Sequence, residues 1–245
     1  MLNRRIALIA IVFVSTWFVA CQEKVLTPTE VQAVQTANSA YKAYERGDCT
    51  TVRKLTDPDI LELWEFNEKR HSMLLLQGFC REIEGDISGA RDIYRELVLE
   101  APTSFAADDA AERTRILMLI EQDPDYAKWT NDARERIHTE KRKRTPIDRI
   151  PVEFPPLARA TGVEGYAIVE FGITQRGNTA DPIVVESNPP FLFDGASLRA
   201  VRRWQYMRES SVDGGDDREL IRLLFTPDGS QDSVDDDSAE PSGPQ

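Results

Sequence analysis

The sequence predicts an α+β chain: an N-terminal all-α module of helical hairpins, then a small α+β domain on a three-stranded antiparallel sheet. Three observations carry this. Between residues 28 and 144 apolar side chains recur at helical spacing, as in Ala90, Ile93, Tyr94, Leu97, Val98 and Ala101. Breakers punctuate that stretch at Gly47-Asp48, Asp57-Pro58, Gly85-Asp86, Pro102 and Asp123-Pro124. From residue 145 to 228 the period falls to two: Ala167, Val169, Phe171 and Ile173 alternate with Tyr166, Ile168, Glu170 and Gly172.

The first element is not part of either module. Asn3-Arg4-Arg5 precedes an apolar run from Ile6 to Ala20, interrupted by Ser15 and Thr16. A membrane-spanning helix needs about 20 apolar residues, so this shorter run suits the apolar region of an export signal. It ends Phe18-Val19-Ala20-Cys21 and turns polar at Gln22-Glu23-Lys24. That ending resembles a bacterial lipobox, with Phe18 where the pattern favours Leu. The resemblance implies a signal peptide at residues 1–20, acylation of Cys21 and a lipid anchor in the envelope of a Gram-negative bacterium, facing the periplasm. Gln22 is similar to the sorting pattern of outer-membrane lipoproteins. Retention of residues 1–20 as an uncleaved anchor is the alternative.

With Cys21 set aside, Cys49 and Cys80 remain. In an oxidising compartment such a pair can close a disulfide, and two separate buried thiols are the alternative that spacing leaves open.

In the helical stretch, Ala33, Ala37, Tyr41 and Tyr44 share one face, and helices are expected near 104–122 and 125–144. Gly78, Gly85, Ala90, Tyr94 and Pro102 stand at the spacings of the small, aromatic and proline positions of a tetratricopeptide repeat, which this segment resembles. Leu74 and Arg81 depart from that pattern. Tyr44-x-x-Gly47-Asp48 echoes Ile83-x-Gly85-Asp86 as a weaker preceding copy. The resemblance places Cys49 and Cys80 on neighbouring helices and thereby implies their disulfide. It also implies either a peptide-binding concave face or a rigid spacer. Lys141-Arg142-Lys143-Arg144 closes the last expected helix, where cations suit the negative end of the macrodipole. Contact with acidic lipid or a partner is the functional alternative.

The second module reads as a strand at 166–173, a turn at Gln175-Arg176-Gly177-Asn178, an antiparallel strand from Pro182 to Glu186, a helix from Phe193 to Trp204 and a strand from Leu220 to Phe225. Ala196, Ala200, Val201 and Trp204 are expected to face the sheet. These residues resemble the C-terminal domain of TonB-type energy transducers. The carriers are Phe154-Pro155, Ala158, Gly162-x-x-Gly165, Phe171-x-Ile173 before Gly177, Val184-Val185-x-Ser187-x-Pro189, and Phe193 followed by Arg202-Arg203-Trp204-Gln205-Tyr206. The family takes up a short segment of outer-membrane receptors as an added strand. By resemblance the partner-binding edge strand is Leu220, Ile221, Arg222, Leu223, Leu224 and Phe225. The family's Gln-Pro-x-Tyr-Pro segment is only partly matched, by Pro151-Val152-Glu153-Phe154-Pro155. The Pro-rich spacer and spanning helix of a transducer are replaced here by the helical module and the lipobox.

Charge bounds the function further. A net charge of -12 argues against nucleic acid, which demands clustered cations. Residues 229–245 form an acidic tail expected to be disordered. His71 and His138 lie apart, without Cys or carboxylate at ligand spacing, so no metal is expected. No nucleophile elbow or phosphate loop occurs, and no catalytic residue or cofactor is assigned. The reading is a non-catalytic lipoprotein adaptor that binds partner proteins in envelope or transport complexes, possible outer-membrane transport proteins among them, with dimerisation possible. A TonB-type transducer with an uncleaved anchor, and a structural protein that binds peptidoglycan or self-associates, are the alternatives.

Overall fold

The computed structural model describes residues 27–61, 68–123, 125–136, 146–207 and 218–227. The expected signal segment with Cys21, His138, Lys141 to Arg144 and the acidic tail lie outside the described residues. Seven helices fill the N-terminal half of the described chain: α1 (Pro28–Glu45), α2 (Cys49–Leu55), α3 (Pro58–Leu61), α4 (Glu68–Ile83), α5 (Ile87–Glu100), α6 (Phe105–Gln122) and α7 (Tyr126–Arg136).

Local chemistry explains where these helices start. Thr27 opens α1 with a reciprocal capping box, accepting from the Glu30 amide at 3.2 Å while the Glu30 carboxylate accepts from the Thr27 amide at 2.7 Å. Gly47-Asp48 and Gly85-Asp86 act alike. Each glycine takes a left-handed φ, +72° and +84°, that ends one helix. The aspartate that follows accepts a 3.0 Å hydrogen bond from Thr51 or Gly89 and caps the next helix. Ser104 caps α6 through the Ala107 amide at 3.1 Å. Cys49 of α2 and Cys80 of α4 are joined by a disulfide, their Cα atoms 5.4 Å apart.

Packing centres on α4, whose Met73, Leu76, Phe79 and Cys80 are fully buried. Around Phe79 lie the rings of Tyr44 at 5.9 Å, Tyr94 at 6.3 Å and Phe191 at 5.9 Å. Tyr44 and Tyr94 belong to α1 and α5. Phe191 belongs to the C-terminal half, so the two halves share one core.

That half contains β1 (Pro146–Asp148), α8 (Pro156–Thr161), β2 (Gly165–Ile173), β3 (Thr179–Asn188), α9 (Asp194–Val201), β4 (Gln205–Tyr206) and β5 (Arg218–Phe225). The main sheet runs β3–β2–β5, antiparallel throughout, with Ala167 opposite both Ser187 and Leu223. Val169 and Phe171 of β2 and Ile221, Leu223 and Phe225 of β5 are buried. The rings of Phe193 and Phe225 stack at 4.2 Å, and Phe154 meets both edge-on. Two details differ from the sequence reading. The helix stops at Val201, and Trp204 follows in a turn with its indole N–H donating to the Ile150 carbonyl at 2.9 Å. β1 and β4 also pair as a two-stranded ribbon, three and two residues long, too short for any period to register.

The halves are clasped by charge as well as by aromatic packing. Arg113 of α6 is buried between Glu82 of α4 and Asp194 of α9, 3.1 Å from the Asp194 carboxylate, with its guanidinium 3.8 Å from the centre of the Phe191 ring. Arg199 pairs with Asp109 at 2.6 Å, and Arg202 makes a two-pronged contact with Glu112. The Tyr44 hydroxyl donates to the Pro190 carbonyl. Gly195 permits the close approach of α9, because a Cβ there would collide with the Asp109 carboxylate. Pro155, Pro156, Leu157 and Leu192 also line one small cavity together with Tyr41, Leu75 and Asp109 of the helical half. The face that α1, α4 and α6 turn toward Phe191, Pro190 and Asp194 is therefore covered by the chain's own C-terminal half. Arg202, one of the residues that carry the family resemblance, is an inter-half contact.

Asp109 gives this contact a pH dependence. Burial pushes its carboxyl up to about 6 against the opposing pull of Arg199. The folded state then holds the proton more tightly than the unfolded chain, so this contribution is complete below about pH 4 and lost as pH rises through about 6. Asp194, raised by burial despite Arg113, adds a slope of the same sign. Denaturant unfolding from pH 4 to 7 should show stability falling less steeply in Asp109→Asn than in the parent chain. The difference should be on the order of 3 kcal/mol across the window. Equal slopes would mean that Asp109 titrates normally.

Candidate partner-binding edge

A three-stranded sheet has two edges, and here they differ. The β3 edge faces α7. Arg134 of α7 donates to the Val185 carbonyl at 2.7 Å and pairs with Glu186 at 3.0 Å, occupying backbone and side chain together. Arg136 of the same helix pairs with Glu170, which is fully buried in β2. Glu170 also receives Arg218 at 3.4 Å, so one carboxylate ties α7 to β5 across the sheet. The other edge, β5, pairs only with β2 among the described residues. An unpaired edge presents a row of backbone donors and acceptors to any extended chain that approaches.

All six residues named from the sequence lie on this strand. Ile221, Leu223 and Phe225 point into the core, while Leu220 and Leu224 are half-buried and Arg222 is exposed on the opposite face. The Arg222 guanidinium lies 4.1 Å from the centre of the Tyr166 ring on β2. The Tyr166 hydroxyl donates to Glu186 at 2.6 Å, and that bond, with some burial, holds its pKa above the ordinary range. Arg222, Tyr166, Glu186 and Arg134 thus form a row across the outer face of the sheet, from the open edge to the closed one.

The partial Gln-Pro-x-Tyr-Pro equivalent presents Pro151 and Glu153 to solvent but not the position that would hold its aromatic ring. Val152, Phe154 and Pro155 are buried, and Pro155 lines a small cavity shared with the helical half. Sequence reasoning missed Tyr166, Glu170 and Glu186 as parts of this region. The one available signal was Glu170 itself, an acid inside an otherwise apolar strand, which requires a buried cationic partner.

Residues 150–219 match the family described as Gram-negative bacterial TonB protein C-terminal. The segment from α8 to the start of β5 is of TonB C-terminal type. Protein TonB of Pseudomonas aeruginosa is 37% identical over 82 residues, which is 33% of this chain and 23% of that protein. The chain therefore spans less than a quarter of that relative's length. A solution NMR structure of the Pseudomonas aeruginosa TonB C-terminal domain is 28% identical, covering 36% of this chain and 90% of that one, with a TM-score of 0.30. The family match takes in α8, β2, β3, α9 and β4 and ends at the second residue of β5. What β5 can do must therefore be argued from its own geometry.

No described helix is long and apolar enough to cross a membrane.

Proposed function

We propose that this chain is a non-catalytic, periplasm-facing envelope lipoprotein that binds a partner protein by taking up an extended segment along β5. In this reading the helical half is an adaptor body that holds the TonB-type domain in one orientation and closes its β3 edge. The supporting observation is the contrast between edges: Arg134 occupies the Val185 carbonyl on one side, while β5 has no neighbour among the described residues on the other. Main-chain hydrogen bonds supply affinity in such strand addition, and alternate side chains supply selectivity. Acylation at Cys21 would keep the edge near the membrane that carries the partner.

Photo-crosslinking residues placed singly at Leu220, Arg222 and Leu224 test the edge in intact cells. Strand addition predicts crosslinks to one partner stretch, advancing in two-residue steps as the probe moves. A probe at the exposed Leu99 of α5 should give none of these. Crosslinks scattered over a partner, or absent from β5, would reject the reading. Intact mass of the membrane-extracted protein beside Cys21→Ser tests the anchor separately. An unprocessed chain beginning at Met1 would favour a membrane-anchored energy transducer instead.

A further inference from the structure

The outer face of β5 carries a specific chemical question. Arg113, Arg134, Arg136, Arg199, Arg202 and Arg218 each have a carboxylate partner. Arg222 pairs with no carboxylate among the described residues; its contact is the π face of Tyr166. It is exposed, in a chain of net charge -12, and stands between two half-buried leucines two residues away on either side. On a pleated edge, Leu220, Arg222 and Leu224 point to the same face. A strand added beside β5 would place alternate side chains directly against these three.

We propose that the segment accepted by β5 is an extended stretch of a partner protein, acidic where it faces Arg222 and apolar two residues to either side. This inference rests on the edge reading above. An acid there gains a cross-strand charge pair, and the ring of Tyr166 beneath the guanidinium fixes the cation in place. A lysine at the same point would meet a like charge, and the apolar neighbours would cover the exposed parts of Leu220 and Leu224. Elsewhere the chain's acidity disfavours an acidic ligand, so the preference should be local to this strand.

The test uses three capped peptides, Thr-Val-Thr-Glu-Thr-Val-Thr and its counterparts with Gln or Lys at the centre, titrated into the isotope-labelled full chain. Shifts of the β5 amides are followed by NMR. The Glu peptide should bind roughly fivefold more tightly than the Lys peptide, with Gln between. Arg222→Glu should reverse the order, and Arg222→Lys should preserve it. Equal binding of all three at β5 would overturn the acidic preference and leave the edge reading intact. No β5 response to any peptide, in the full chain or in a chain ending at Pro227, would overturn the edge reading itself. Binding to a chain ending at Pro227 but not to the full chain would assign the edge to this chain's own acidic tail and overturn its assignment to a partner.

Discussion

Replacing Arg113 with alanine should lower the unfolding free energy by about 3–5 kcal/mol, the loss typical when one member of a buried ion set is deleted. Arg113 is 5% exposed and serves two acids at once, Glu82 in the helical half and Asp194 in the TonB-type half. Burial works against its charge, but Asp194 and Glu82 outweigh burial and hold its pKa above the ordinary value. Without it, two carboxylates remain in a low-dielectric site with no counter-ion, and the Phe191 ring loses its cation. Much of the cost is the penalty on the acids left behind, so the effect depends on their charge. In a Glu82→Gln, Asp194→Asn background, removing Arg113 should cost much less. Urea unfolding of the four chains closes this cycle. If Arg113→Ala costs as much in the neutral background as in the parent, charge is not what Arg113 supplies, and its packing on Phe191 is the larger effect.

A globular domain is stable by only about 5–15 kcal/mol in total. A loss of this size would therefore also loosen the halves from one another. It should expose the β3 edge by withdrawing α7 and leave β5 paired to β2, so crosslinks that advance along β3 in this variant alone would show that α7 is what reserves β5 for the partner.

How much of this was legible in the sequence follows from the range over which each signal acts. The helices were legible because a 3.6-residue period and a cap are local. Gly47-Asp48 and Gly85-Asp86 each name a stop and a start within two residues. β2 was legible because its apolar alternation runs unbroken through Ile173, and the inward face of β5 followed from Ile221, Leu223 and Phe225. The clasp between halves was not. Asp109, Glu112 and Arg113 sit on α6, while Arg199 and Arg202 lie 90 residues beyond the acids they meet. A charged residue on a helix reads by default as solvated, and nothing local marks one that will be buried against a distant partner. The same holds for the edges. That the β3 edge would be closed, while β5 has no second neighbour among the described residues, depends on where α7 lands, which no spacing in the sequence encodes.

Removing the disulfide, by reduction or as Cys49→Ala/Cys80→Ala, should cost about 3–4 kcal/mol and leave the proposed peptide binding at β5 unchanged. The bond spans 31 residues, and closing a loop of that length removes this much entropy from the unfolded chain. The loop contains α2, α3 and most of α4. Outside it lie α6 and α9, with the Asp109 and Glu112 contacts that clasp the halves. Within it, the N-terminal side is the weaker: α2 is seven residues long and has only Val52 and Cys49 buried, whereas α4 is held from all sides. Loss of the bond should therefore release α2 first, visible as faster amide exchange there than in α4. A cost below about 1 kcal/mol would mean that the unfolded chain is already restrained in this loop. Weaker peptide binding at β5 on reduction, with the sheet still folded, would show that the helical half controls the edge as well as supporting it, and the proposed binding would then be redox-sensitive.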